Sequence, residues 1–393
     1  MSTKHPNNVN PVQGRSTIRR ARRIVIKIGS SSLTSSEGVR QEAIDSLTRT
    51  IADLRRQGSE VVLVSSGAIA AGLKPLGLER RPKDLATQQA AAAVGQGWLL
   101  AEYSESFWKH GLSVAQVLLT AEELMRRTQY NNAFRALNRL LDLGIVPIVN
   151  ENDAVATQEI RFGDNDRLAA LVANVIKADM LLLLSDVDAL YDGPPSREGS
   201  RRITLVRGPQ DLEGVTIGRA GPAGVGTGGM VTKVDAAEIA TGSGIPTLLT
   251  SAPNAQLAID GEDVGTWFAV SGRRKSARAA WLGLMAETRG RITIDDGAVA
   301  AVVDRGRSLL PAGITGVSGR FESGDAVEIA DSTGEVIARG LVNYSSTELP
   351  AMVGRSTAEL RAELGPEYDR VVVHADDCVR LRRRTATRTR LNS

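Results

Sequence analysis

The feature that most constrains this chain is a repeated one. Short β-branched or leucine-rich runs each break into glycine, serine, asparagine or aspartate, and each is separated from the next by a segment of helical period. RRIVIKIGSSSL opens the series with Ile24, Val25, Ile26 and Ile28. SEVVLVSSGAIAAG repeats it at Val61 to Val64, GIVPIVNENDAV repeats it ahead of Asn150, and DMLLLLSDVDALYDGPP does so most strongly at Leu181 to Leu184. Runs this short and this apolar read as strands buried on both faces. Between the first two, Val39, Ala43, Leu47, Ile51 and Leu54 keep helical spacing within residues 37–57, and Gly58 ends it. A strand that is followed by a helix and then another strand implies a parallel crossover unit. Residues 84–109, 121–143 and 231–241 read as further helices, and 112–119 and GIPTLLTSA as further strands. The expected fold is α/β, an αβα sandwich with a mostly parallel central sheet.

The pattern changes near residue 270. From Gly290 the apolar segments shorten, and Val327, Ile329, Val336, Ile337 and Ala338 flank Asp331 to Gly334, a loop of hairpin length. The expected organisation is a disordered basic tail over 1–21, a large α/β domain over 22–270 and a linker over 271–289. A small mostly β domain over 290–368 and a C-terminal extension with a basic tail over 369–393 complete it. The net charge of +3 hides an asymmetry: residues 1–23 and 380–393 each carry +6 and no acid, which leaves −9 between them. Such ends suit nucleic acid or solvent. Cys378 is the only cysteine, and His5, His110 and His374 are far apart, so neither a disulfide nor a local cysteine- or histidine-based metal motif is written here. No apolar stretch is long enough to span a membrane, and a cytoplasmic location is the expectation.

In an open parallel sheet, ligands gather beyond the carboxyl ends of the strands. The residues standing there are Lys27 with Gly29 and Ser30, then Ser65, Ser66 and Gly67, then Asn150, Asn152 and Asp153, then Ser185, Asp186 and Asp188. Lys27 sits inside an apolar strand, where a buried ammonium needs an anionic partner or an exposed tip. A phosphoryl oxygen would serve, and Gly29 would let backbone amides approach it. GTGGMVTK supplies a second glycine-rich turn, with Gly228 and Gly229 ahead of a helix start and Lys233 in its first turn. Neither GxxxxGK[ST] nor GxGxxG occurs, which removes the P-loop and weakens hydride transfer. Two lysines from distant segments suit a transferring phosphoryl group. Asp153, Asn165 and Asp166 suit an amino group, a magnesium–nucleotide complex or the positioning of those lysines, while Asp164 and its neighbours also suit helix capping. A carboxylate acceptor would need no general base, since it is already ionised near neutral pH.

These strings, in order, resemble the amino acid kinase family, and among its members the glutamate kinases: IVIKIGSSSL, VLVSSGAIAAG, PIVNENDAV, FGDNDRLAALVA, LLLLSDVDALYDGPP and GTGGMVTKVDAA. The small second domain resembles a PUA domain. The resemblance implies the family's αβα sandwich and transfer of the γ-phosphoryl group of ATP to the γ-carboxylate of L-glutamate, the first step of proline biosynthesis. Lys27, Lys233 and Asp166 are the implied catalytic residues, Asp166 orienting the two lysines. Ser66, Asp153, Asn165 and Asn150 match substrate positions. Lys27, Ser185, Asp186 and the stretch Thr227, Gly228, Gly229, Met230, Val231, Thr232 and Lys233 match nucleotide positions. ATP and Mg2+ are the implied cofactors, with homodimers or homotetramers and feedback by proline. The alternatives are another small carboxylate such as N-acetylglutamate as acceptor, or an RNA-binding protein built on the PUA-like domain.

Overall fold

The apolar runs at 23–28, 60–64, 146–151 and 180–185 form strands because their side chains bury on both faces while their backbone is paired along both edges. The computed structural model describes residues 12–35, 38–125, 127–155, 164–194, 197, 199–213, 215, 229–270, 288–365, 368 and 370–381. The chain divides into two compact units, Met1–Ala277 and Arg278–Ser393.

In the first unit, β1 (Arg23–Ile28) leads through α1 (Ser30–Leu33) to a hairpin of β2 (Thr34–Ser35) and β3 (Gly38–Val39), then to α2 (Gln41–Arg56) and β4 (Glu60–Val64). Two helices follow, α3 (Ala68–Leu73) and the long α4 (Leu85–Trp108), before β5 (Val114–Leu119). The helix expected over 121–143 is two, α5 (Ala121–Met125) and α6 (Arg127–Asp142), ahead of β6 (Val146–Glu151). Next come α7 (Asp164–Val175), β7 (Met180–Ser185), β8 (Leu205–Val206), α8 (Met230–Gly242), β9 (Thr247–Ser251), α9 (Ala255–Asp260) and β10 (Thr266–Phe268). The eight-stranded sheet runs β5-β6-β4-β1-β7-β9-β10-β8. Only the β9–β10 pair is antiparallel, so the strands from β5 through β9 end at one edge.

Alternation along β1 decides where chemistry can sit. Ile24, Ile26 and Ile28 join the core formed with Ile44, Leu47, Ile51 and Leu54 of α2. Val25 and Lys27, one residue out of phase, therefore face the opposite side of the sheet, where α7 packs against β1.

Two expected boundaries are corrected. Residues 12–21 do not form a disordered tail. Val12, Ile18 and Ala21 are buried in the main core, residues Arg15–Arg20 form a 3-10 turn, and the Arg15 guanidinium donates to the carbonyls of Thr204, Val264 and Gly265. Charge count alone could not show that a run of arginines was interleaved with apolar anchors. The rest of both basic tails and residues 271–287 of the linker expected over 271–289 lie outside the described residues.

The second unit is a five-stranded sheet ordered β12-β11-β13-β14-β15, made of β11 (Gly290–Ile294), β12 (Ile314–Gly319), β13 (Ala326–Ala330), β14 (Val336–Val342) and β15 (Val373–Arg380). The hairpin expected around Asp331 to Gly334 joins β13 to β14, with the Asp331 carboxylate accepting from the Thr333 and Glu335 amides. Helix α10 (Asp296–Val299) follows β11. Helix α11 (Thr357–Leu364) starts at Ser356, which exchanges capping hydrogen bonds with Glu359. The expected end of this domain at 368 is too early. β15 pairs with β14, and Val373 lies in the core, so this strand is part of the sheet rather than an extension. Among the described residues no helix is long and apolar enough to cross a membrane.

Candidate active site

The central feature is a carboxylate held between two ammonium groups. Asp166 stands in the first turn of α7, where an acid is favoured by the helix dipole, yet it points inward rather than capping. Its Oδ1 lies 2.6 Å from Lys27 Nζ, and its Oδ2 lies 3.1 Å from Lys233 Nζ. The Thr232 hydroxyl is 2.9 Å from the same Oδ2 and 2.8 Å from the Gly229 carbonyl, so its proton serves one of them at a time. All three charged residues are buried: Lys27 is 5% exposed, Lys233 6% and Asp166 2%. Burial alone would push the Asp166 carboxyl up. The charges of Lys27 and Lys233, with the hydrogen bonds they donate, outweigh it and hold the carboxyl well below the usual range.

Among the described residues the cluster holds two cations and one anion, an excess of positive charge that an incoming phosphoryl group would balance. The lysine's need for an anionic partner was legible in the sequence; the partner supplied by the fold is Asp166. Gly29 follows β1 with an ordinary backbone (φ −75°), and a Cβ there would lie 3.9 Å from Lys27 Nζ, in the space beside the ammonium. Access to the ammonium, and not backbone conformation, is what a side chain at this position would compromise.

A consequence is testable by acid titration. A folded carboxyl below its unfolded value of about 3.9 stabilises fully above that pH, and the contribution declines as pH falls toward the folded pKa. The stability gap between the native chain and Asp166→Asn should therefore narrow from pH 7 to pH 3 in urea titrations. A constant gap would mean that the carboxylate is not held by its charges.

Beside this cluster, Asn165 Nδ2 donates to Ser66 Oγ at 3.1 Å and to Asn150 Oδ1 at 3.0 Å. Ser66 enters from the β4–α3 turn, where Gly67 takes a left-handed φ of 95°, and Asn150 from β6. Asn165 Oδ1 is buried and finds no hydrogen-bond partner among the described residues. Asp153 sits in the turn after β6. At the end of β7, Ser185 donates to the exposed Asp186 carboxylate at 2.9 Å, and Tyr191 donates to Asp188. Gly229, Met230 and Val231 open α8, whose first turn has no side-chain cap and so keeps amide donors for an anion. Thr227 and Gly228 lie outside the described residues, as do Phe162 and Gly163.

The structure brings Lys27, Asp166 and Lys233 together and, of the substrate positions that the resemblance implied (Ser66, Asn150, Asn165 and Asp153), joins Ser66, Asn150 and Asn165 by hydrogen bonds. Residue-by-residue reading missed Gln96 and Gln116, which bond behind Asn150, and Tyr103, whose hydroxyl lies 3.0 Å from Ser65 Oγ. Their only signal was polarity inside an alanine-rich helix and an apolar strand.

Residues 22–251 match the amino acid kinase family, and residues 290–364 match the PUA domain. A glutamate 5-kinase of Thermobifida fusca is 59% identical over 94% of this chain and 96% of its own length. A glutamate 5-kinase of Salinispora arenicola is 60% identical over 93% of this chain and 100% of its own. One of Streptomyces coelicolor is 58% identical over 93% and 98%. With its lysines and aspartate all in place, the chain is not the degenerate kinase that an RNA-binding reading requires. It belongs to the amino acid kinase family, among the glutamate 5-kinases, and carries a PUA domain.

Proposed function

We propose that this enzyme transfers the γ-phosphoryl group of ATP to the γ-carboxylate of L-glutamate, giving L-glutamyl 5-phosphate and ADP, the first step of proline synthesis. The observation that carries the reading is Asp166 clamped between Lys27 and Lys233 at the carboxyl edge of the sheet. An oxygen of the glutamate side chain attacks the γ-phosphorus, the bond to the β-phosphate oxygen breaks, and ADP leaves with that electron pair. The acceptor is already ionised, so no base removes a proton. Lys27 stabilises the charge on the transferring group, Lys233 holds the nucleotide phosphates, and Asp166 positions both ammonium groups. Ser66, Asn150, Asn165 and Asp153 bind glutamate. Asn165 Oδ1, without a partner among the described residues, is suited to accept a hydrogen bond from its ammonium.

Ser185, Asp186 and residues 227–233 hold the nucleotide. Magnesium would be held mainly through the phosphate oxygens of the nucleotide, the usual arrangement for this ion, and would help neutralise their charge. The carboxylate nearest the phosphoryl site already has a lysine on each oxygen, and no group of three or more metal-ligating side chains occurs among the described residues. The large unit, with residues 12–21 part of its core, carries the transfer, and the small unit has a structural or regulatory part. Proline, another α-amino carboxylate, is the proposed inhibitor, and a homodimer or homotetramer the proposed assembly.

Hydroxylamine should trap a hydroxamate whose formation requires ATP, magnesium and L-glutamate together. ADP release that is unaffected by omitting glutamate would overturn the assignment. Asn165→Ala should raise the glutamate KM about tenfold, with the ATP KM within twofold, since it removes a hydrogen bond to a charged group. An unchanged glutamate KM would remove Asn165 from the substrate site.

A further inference from the structure

Gln96 lies on α4, and its amide joins three elements. Its Nε2 donates to the Glu151 backbone carbonyl at 3.3 Å, while its Oε1 accepts from Asn150 Nδ2 at 3.2 Å and from Gln116 Nε2 at 3.0 Å. Asn150 is 2% exposed, Gln96 8% and Glu151 9%, so water does not readily replace these bonds. The order of donors is not arbitrary. A backbone carbonyl only accepts, so Gln96 must turn its NH2 toward Glu151 and its oxygen toward Asn150. Asn150 must then turn its NH2 toward Gln96 and its oxygen toward Asn165, and the Glu151 amide, which only donates, fixes that same oxygen at 2.9 Å. Asn165 is left to present its NH2 to Asn150, which directs its remaining oxygen away as an acceptor.

We infer that Gln96 is a positioning residue that, together with the Glu151 backbone amide, fixes the amide polarity of Asn150 and, through it, of Asn165, so that the site offers an acceptor to the substrate's amino group. Gln96 touches neither substrate nor nucleotide in this scheme. It rests on the proposed reading of Asn165 as a glutamate contact and adds the reason the site prefers an amine-bearing dicarboxylate. A small cavity walled by Gln96, Gln116, Asn150, Tyr103 and Ile148 adjoins the network.

The test compares kcat/KM for L-glutamate and for glutarate, the same dicarboxylate without the amine, in the hydroxamate assay. In Gln96→Met the preference for glutamate should fall about fivefold, the worth of one hydrogen bond, while the values for glutarate and the ATP KM stay within twofold of the native enzyme. In an Asn150→Ala background the same substitution should change the preference by less than twofold, because Gln96 acts through Asn150. Gln96→Glu keeps an acceptor for Asn150 but loses the donor to Glu151, and should fall between; it serves if the Met variant does not fold. A folded Gln96→Met or Gln96→Glu with the native preference, or one losing glutamate and glutarate turnover equally, overturns the inference alone. A native enzyme inert toward glutamate overturns the substrate reading beneath it.

Discussion

Lys27→Met should lower kcat by about 10²–10³-fold, the cost of removing one donor aimed at developing charge, while leaving the folded state as stable as before or more so. Asp166→Asn should abolish turnover as well, and should destabilise the fold by about 3–5 kcal/mol, the usual cost of breaking a buried ion pair from one side. The asymmetry follows from the charge count. Removing Lys27 leaves Asp166 paired with Lys233 and bonded to Thr232, a neutral arrangement. Removing the carboxylate leaves two ammonium groups, each about 5% exposed, facing one another without it. Steady-state kinetics and urea midpoints on the two variants decide the matter. A Lys27→Met enzyme with a kcat near the native value would exclude Lys27 from the transfer step. Equal stability losses in both variants would mean that the cluster is structural, with no net charge held ready for phosphate.

The cluster also shows which parts of a site a sequence can disclose. A lysine inside an apolar strand announces a need that must be met, because its burial is costly whatever the fold. The strands themselves were legible for a similar reason, since runs such as Leu181 to Leu184 have no solvent-facing alternative. What residue patterns could not decide was which of Asp153, Asn165 and Asp166 meets the need; the family resemblance pointed to Asp166, and Asp166 reaches Lys27 because α7 crosses the face of β1 on which Val25 and Lys27 lie. The same limit hid Gln96. A glutamine in an alanine-rich helix reads as a solvated position until the helix is packed and the amide is found against a backbone carbonyl. The N-terminal arginines misled in the opposite direction: charge suggested solvent, whereas Arg15 finds three backbone carbonyls and Ile18 is fully buried.

Gly95→Ala is expected to destabilise the enzyme by about 3 kcal/mol, against the direction that helix propensity gives. On α4, alanine should be better than glycine by about 1 kcal/mol, because it loses less backbone entropy. Here a Cβ would stand 1.8 Å from the Ala68 carbonyl oxygen and 2.6 Å from the Gly72 amide, and one on Gly72 would stand 1.9 Å from the Ala91 carbonyl. The obstructing atoms are backbone, which cannot rotate aside, so α3 and α4 must separate; overpacking commonly costs about 1–3 kcal/mol and occasionally more, and contacts this short against backbone put it at about 4 kcal/mol, which less a propensity gain of about 1 leaves about 3. The melting temperature should fall by roughly 5–10 °C. The glutamate KM should rise with it, because α3 follows directly from Ser66 and Gln96 is the next residue on α4. Gly97 provides the internal control: two residues further along the same helix, its Cβ would meet nothing within 4 Å. Gly97→Ala should therefore raise stability by about 0.5–1 kcal/mol, as propensity alone dictates. Thermal melts of the two variants thus carry opposite signs, and a Gly95→Ala protein as stable as the native one would show that the helices have room to part, and that their contact is not what sets the position of Ser66.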